Sequence, residues 1–93
     1  MLRHVVVWSM AEEHGGELDA LLAELRALPA AIEEIEALSA GRLLNESELE
    51  AALCVDVADA AALARYRDHP AHQPVLERLR GLAGRIVVAD YEL

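Results

Sequence analysis

The sequence predicts an α+β fold in which four antiparallel strands carry helices on one face, and three observations predict it. Valine-rich runs too short for buried helices open and close the chain, at Val5-Val6-Val7 and Ile86-Val87-Val88. A segment in which Leu49, Ala51, Leu53, Val55 and Val57 alternate with Glu50, Ala52, Cys54 and Asp56 lies between them. The intervening apolar residues return every three or four positions, the spacing of helices that each lay one stripe on a sheet. In chain order the elements read β-α-β-β-α-α-β, a ferredoxin-like layout.

Each element has its own grounds. In the first strand alternation places Leu2, His4, Val6 and Trp8 on one face and Val5 and Val7 on the other, so both faces are apolar. Gly15 and Gly16 end the loop that follows. From Glu17 to Leu28 the residues Leu18, Leu21, Leu22, Leu25 and Leu28 form one helical stripe, which Pro29 closes. Ile32 and Ile35 fit either a last helical turn or the start of a strand, and a strand is expected over roughly residues 35–43, ending near Gly41. After the polar turn Asn45 to Glu48, Leu49 to Val57 is the clearest strand of the chain. Asp59 suits an N-cap for a helix carrying Leu63 and Tyr66, and Asp68-His69-Pro70 breaks that helix. Leu76, Leu79 and Leu82 mark a third helix, whose first residue stays open because Pro70 and Pro74 both lie near its start. Gly81 and Gly84 are expected to mark its end, and Arg85 to Glu92 is the last strand.

Ninety-three residues suffice for a single domain spanning 1–93, and an apolar fraction of 55% supports a packed core. Eight arginines and no lysine face seventeen Asp and Glu. The net charge of −9 argues against binding nucleic acid or an anionic membrane through charge. Cys54 is the only cysteine, expected as a small buried residue, so no internal disulfide is available. The opening apolar run is too short for a signal-peptide core, and no stretch approaches the roughly 20 residues of a membrane span, so a cytoplasmic protein is expected.

Packing alone points to a partner. The outer elements of the chain are apolar on both strand faces, and the helices can cover only one side of the sheet. The other side is expected to meet a second copy of the chain, giving a homodimer through the sheet face.

Three elements carry titratable groups toward one region. His4 shares its strand face with Val6 and Trp8. Tyr66 lies on the stripe of Leu63. His72 precedes Leu76 by four residues and Leu79 by seven, which turns it toward the sheet if the third helix reaches back that far. An imidazole can take a proton from carbon beside a carbonyl, and a phenol can hold the enolate oxygen that forms. Each residue also has a structural reading: His72 as a loop or helix cap, Tyr66 as a core phenol, His4 as a strand-end hydrogen-bonding group. His69 fits a turn before Pro70 and His14 fits solvent. His69 and His72 alone, without a carboxylate or cysteine at ligand spacing, are poor evidence of a metal site. No phosphate-binding glycine loop, nucleophile elbow or dinucleotide fingerprint is present, and no cofactor is expected.

The run Tyr66-Arg67-Asp68-His69-Pro70-Ala71-His72 resembles the signature of the stress-responsive A/B barrel (Dabb) family: a tyrosine, two variable residues, then His-Pro-Ala-His. The opening Arg3-His4-Val5-Val6, Leu28-Pro29, Gly41, the strand exit from Val55 to Asp59 and the closing Val88-Ala89-Asp90-Tyr91 also fall where that family has them. The resemblance implies a dimeric α/β barrel built from the sheets of two protomers. It also implies a role for three residues. Olivetolic acid cyclase, a plant polyketide cyclase of the family, closes a poly-β-keto chain by aldol condensation without a cofactor. Its catalytic histidine corresponds to His72, its substrate-holding tyrosine to Tyr66 and its strand histidine to His4. Its cavity is lined by aromatic residues, whereas this chain has no Phe. The expectation is therefore a pocket bounded by Trp8, Val6, Leu63 and Leu76 that takes a small carbonyl or acyl ligand. A non-catalytic ligand-binding or structural homodimer is the alternative. A monooxygenase of the wider dimeric-barrel group fits the motif residues less well.

Overall fold

The computed structural model describes residues 1–93. Its elements are β1 (Leu2–Met10), α1 (Leu18–Arg26), β2 (Ala37–Arg42), β3 (Ala51–Val57), α2 (Ala60–Asp68), α3 (His72–Leu82) and β4 (Ala83–Glu92). Two short 3₁₀ turns, Glu12–Glu17 and Leu28–Ala30, flank α1. The strands form one antiparallel sheet in the order β2-β3-β1-β4. This is the expected ferredoxin-like α+β fold.

Register decides which side chains meet. Val6 lies opposite Leu53 on β3 and Val88 on β4, and His4 lies opposite Val55 and Asp90. Residues paired in this way share a face. On β1 and β3 the helix-covered face is buried: Val6, Trp8 and Met10 with Ala51, Leu53, Val55 and Val57. Leu18, Leu21, Leu22 and Leu25 of α1 close over it, joined by Leu63 and Tyr66 of α2 and Leu79 and Leu82 of α3. Burying one such Leu or Val favours the fold by about 1.5–3 kcal/mol.

The other face of the sheet carries Val5 and Val7 among Ala52, Cys54, Val87 and Ala89, with no helix over it. At its end Arg3 donates twice to Asp56, at 2.7 and 2.9 Å, and Tyr91 stands beside Arg3 on β4. The bidentate guanidinium holds the Asp56 carboxyl below its ordinary value. Cys54 lies on this open face, half-buried, and not in the core as expected. Alternation is the reason: Leu53 and Val55 take the inward positions, so the residue between them must point outward.

Element boundaries moved for local reasons. The first helix is shorter than the Glu17–Leu28 stripe, because Leu28 and Pro29 form a 3₁₀ turn of their own. Ile32 belongs to neither helix nor strand and plugs the core from the turn after it. Gly15 and Gly16 sit inside the 3₁₀ turn before α1, where His14 pairs with Glu17 at 2.7 Å and is only partly exposed. Leu49 precedes β3. α3 begins at His72, which makes Pro74 its third residue; an N–H there would lack an intrahelical partner in any case. Gly81 is helical, and Gly84 lies in β4 beside a register shift at Ser9/Met10. A Cβ on Gly84 would stand 3.2 Å from Ser9 Oγ, which accepts the Arg85 N–H at 3.0 Å. The glycine therefore permits the close approach that the bulge requires.

β4 is an edge strand, and it is less covered than its composition suggests. Ile86 and Val88 face the helix side yet are 38% and 52% exposed, since no helix reaches over the edge. That uncovered strip is one wall of the site.

Candidate functional site

The site lies in a cavity of about 390 Å³ between the β1–β4 edge of the sheet and helices α2 and α3. Small-molecule sites typically enclose roughly 300–1,000 Å³. Val6 and Leu53 form the floor, Ile86 and Val88 the strand wall, and Val75, Leu76 and Leu79 the helix wall. His4, Tyr66 and His72 line it together. Trp8 and Leu63, expected to line the pocket, lie instead in the core beside it. Trp8 lies two residues beyond Val6 on the same face of β1, and both Trp8 and Leu63 are buried in the core. Val6 and Leu76 stand where expected.

Local sequence brings the three polar rings together. Asp59 caps α2 by accepting the Ala62 N–H at 2.8 Å, which sets the helix register that sends Tyr66 inward. His69 takes an extended backbone before Pro70. Its Nδ1 accepts the Ala71 N–H at 3.0 Å and its carbonyl accepts the His72 N–H at 2.9 Å. His69 thus acts as a turn residue, and the turn aims His72 at Tyr66. The His72 and Tyr66 rings are 4.5 Å apart and tilted, and His4 meets Tyr66 edge-on at 6.0 Å. All three are buried.

Hydrogen bonds fix the imidazole tautomers. His72 Nδ1 lies 3.0 Å from the Arg67 carbonyl oxygen. A carbonyl can only accept, so Nδ1 carries the proton and a neutral His72 keeps its Nε2 lone pair free. Burial lowers the His72 pKa from its ordinary value of 6.5; the Arg67 carbonyl opposes this, and the positive fields of His4, Arg80 and Arg67 add to it. His72 is therefore a neutral base near pH 7. His4 Nδ1 meets the Asp90 carboxylate, whose other oxygen accepts from Arg67 at 2.8 Å. The carboxylate holds the ring by its Nδ1–H. Tyr66 differs from both. Its hydroxyl is buried with no hydrogen-bond partner, and burial pushes its pKa up to about 12, so the phenol stays protonated at neutral pH.

Asp90 and Arg67 complete the site and were not anticipated. A signal existed for Asp90: it shares the β4 face of Ile86 and Val88, and antiparallel pairing sets it opposite His4. Arg67 gave none, as it occupies a variable position of the motif. His69 and His72 recruit no third ligand, and no group of three or more His, Cys, Asp or Glu side chains gathers at metal-binding distance.

A family model, the stress responsive A/B barrel domain, matches residues 2–93. The chain belongs to the Dabb family. Solved structures agree with the fold. A Dabb protein with a ferredoxin-like fold from Mesorhizobium loti is 25% identical, with a TM-score of 0.83 over 99% of this chain and 95% of that one. A dimeric ferredoxin-like protein of unknown function from Thermobifida fusca is 22% identical, with a TM-score of 0.88 over 99% and 90%. A hydroxynitrile lyase from Passiflora edulis is 17% identical, with a TM-score of 0.88 over 99% and 92%. Among curated proteins no sequence match is found. No helix of this Dabb chain is long and apolar enough to cross a membrane.

Proposed function

We propose that this Dabb chain is a cofactor-independent acid–base enzyme acting on a small carbonyl compound, with aldol-type closure of a β-keto substrate as its model reaction. One observation carries the reading: a buried, neutral imidazole with a free Nε2 stands beside a buried phenol that lacks a partner, in one cavity. A substrate carbonyl at the inner end of that cavity would accept the hydrogen bond that Tyr66 does not make elsewhere. His72 Nε2 would take the proton from the neighbouring carbon, and negative charge developing on the carbonyl oxygen would be held by Tyr66. His4, oriented by Asp90, would help to position the substrate or assist the return of the proton from His72. The resemblance of His4, Tyr66 and His72 to the olivetolic acid cyclase set supports this assignment, and the hydroxynitrile lyase fold adds hydroxynitriles to the substrates worth assaying. The uncovered Val5 and Val7 face, together with the dimeric description of a similar structure, supports a homodimer through the sheet and hence the dimeric α/β barrel. A cytoplasmic setting suits the lone free thiol.

The test is turnover of β-keto and hydroxynitrile panels by the wild type and by His72→Ala. A proton-transfer role predicts a loss of about 10²–10⁴-fold in kcat with the fold intact by circular dichroism. Equal turnover by the variant would remove His72 from the chemistry.

A second reading is a ligand-binding dimer without turnover. It is favoured by the engagement of both histidine Nδ1 atoms by protein groups, as in a purely structural network. A metabolite that co-purifies with the protein and is released unchanged supports it.

A further inference from the structure

The arginines of this chain are almost all matched. Arg3, Arg42, Arg65, Arg67, Arg78 and Arg85 each pair with a carboxylate, and Arg26 donates to the Ala40 carbonyl. With seventeen acids for eight arginines, a partner is close for any of them that points along the general surface. Arg80 alone makes neither a hydrogen bond nor an ion pair, and Arg80 lines the cavity of the three rings.

Its position is set by α3. His72, Leu76 and Arg80 follow one another at four-residue spacing along the helix side that faces the cavity. Eight residues separate the Cα atoms of His72 and Arg80 by about 12 Å along the axis. Helical side chains lean toward the N-terminus, so the Arg80 stem leans back toward His72 and shortens that span. The stretch between them is apolar: Leu76 and Leu79 on the helix, Ile86 and Val88 on the strand. The cavity thus has Arg80 at one exposed rim, the exposed Arg67, Asp68 and Gln73 elsewhere along its lining, an apolar middle, and a buried end where the Tyr66 hydroxyl lacks a partner.

We propose that the ligand of this cavity is an oxo acid, whose carboxylate pairs with Arg80 while an apolar chain places its carbonyl at Tyr66 and His72. This deepens the carbonyl reading and rests on it for the inner contact. The guanidinium would bind the carboxylate in a two-point fork, which an ester or amide of the same chain cannot reproduce. Arg80 would also fix the direction of entry, since the rest of the chain is strongly acidic and repels an anion elsewhere. The competing role for Arg80 is local. It lies in the last turn of α3, where a cation meets the helix carbonyls favourably. That role affects stability and has no bearing on ligand choice.

The experiment is equilibrium binding, so no turnover is needed. Titrations of the full chain followed by NMR shifts of the His72 ring would use unbranched oxo acids of increasing length and their methyl esters. The wild type is expected to favour the acid over its ester by about threefold to tenfold at low salt, with the preference shrinking as salt rises. Arg80→Gln should bring acid and ester to equal affinity while ester binding stays unchanged; Arg80→Lys should restore part of the preference. A wild type without the preference, including one that binds neither probe, overturns the proposal, as does a preference that survives Arg80→Gln. Binding of the acid without any turnover would sink the catalytic reading and leave the anchor standing. Turnover of neutral substrates that ignores Arg80 would do the reverse.

Discussion

At the scale of the residue, the site is a set of protonation states fixed by neighbours. The Tyr66 hydroxyl is buried without a partner, which costs stability. Tyr66→Phe is therefore expected to leave stability unchanged or raise it by up to about 1 kcal/mol in urea unfolding, while turnover falls by about 10²-fold. A loss above about 2 kcal/mol would instead reveal a structural bond at that oxygen. His72 gives the pH dependence. Its pKa is lowered in the folded chain by burial, so between that value and 6.5 the unfolded chain binds more protons than the folded one. The neutral ring's contribution is complete above about pH 6.5 and is lost as pH falls through the folded value. Melting temperatures followed from about pH 7.5 to about pH 5 should drop more for the wild type than for His72→Gln, and the catalytic rate should fall over the same window. Parallel curves for the two proteins would show that burial does not hold His72 neutral.

At the scale of the element, one cap and one turn deliver the chemistry. Asp59→Ala removes the acceptor of the Ala62 N–H and should cost about 1 kcal/mol in chemical denaturation. Because the cap sets the register of α2, activity should fall further than that stability loss implies; a variant with full activity would show that α2 is held by packing alone. Most elements are legible in the sequence. The alternation of Leu49–Val57 and the leucine stripe of α1 are periodic over enough residues to exclude rivals. What failed were ends and exceptions. Leu28 and Ile32 are buried although neither is in an α-helix, Leu28 opening a 3₁₀ turn and Ile32 following it, so a core position can mimic α-helical spacing without α-helical backbone. Gly81 and Gly84 carry the same chemistry but sit in a helix and a strand, because α3 stops where Ala83 takes up its pairing with Met10 and not where glycine first appears.

At the scale of the whole molecule, the unfinished part is the open sheet face. Val5 and Val7, flanked by Cys54, Ala52, Ala89 and Val87, form its centre. A dimer that covers this face would bury about 800 Å² on each protomer. Val7→Glu should then give a monomer on size-exclusion chromatography coupled to light scattering, since a carboxylate buried opposite its own copy is repelled and desolvated. A Val7→Glu protein that still elutes as a dimer would place the interface elsewhere. Loss of the dimer should also lower stability, because a 93-residue chain gains much of its margin from added burial.

The sequence alone determined the element order, the helix-facing residues of the sheet and the three rings of the site, because periodicity and a short local motif need only neighbours along the chain. It did not determine Asp90 beneath His4, the lone Arg80 at the cavity rim or the outward turn of Cys54. Those depend on strand register and on which charges find partners across long separations. Such pairings are settled only when the whole chain closes, since each turns on a contact between residues dozens of positions apart.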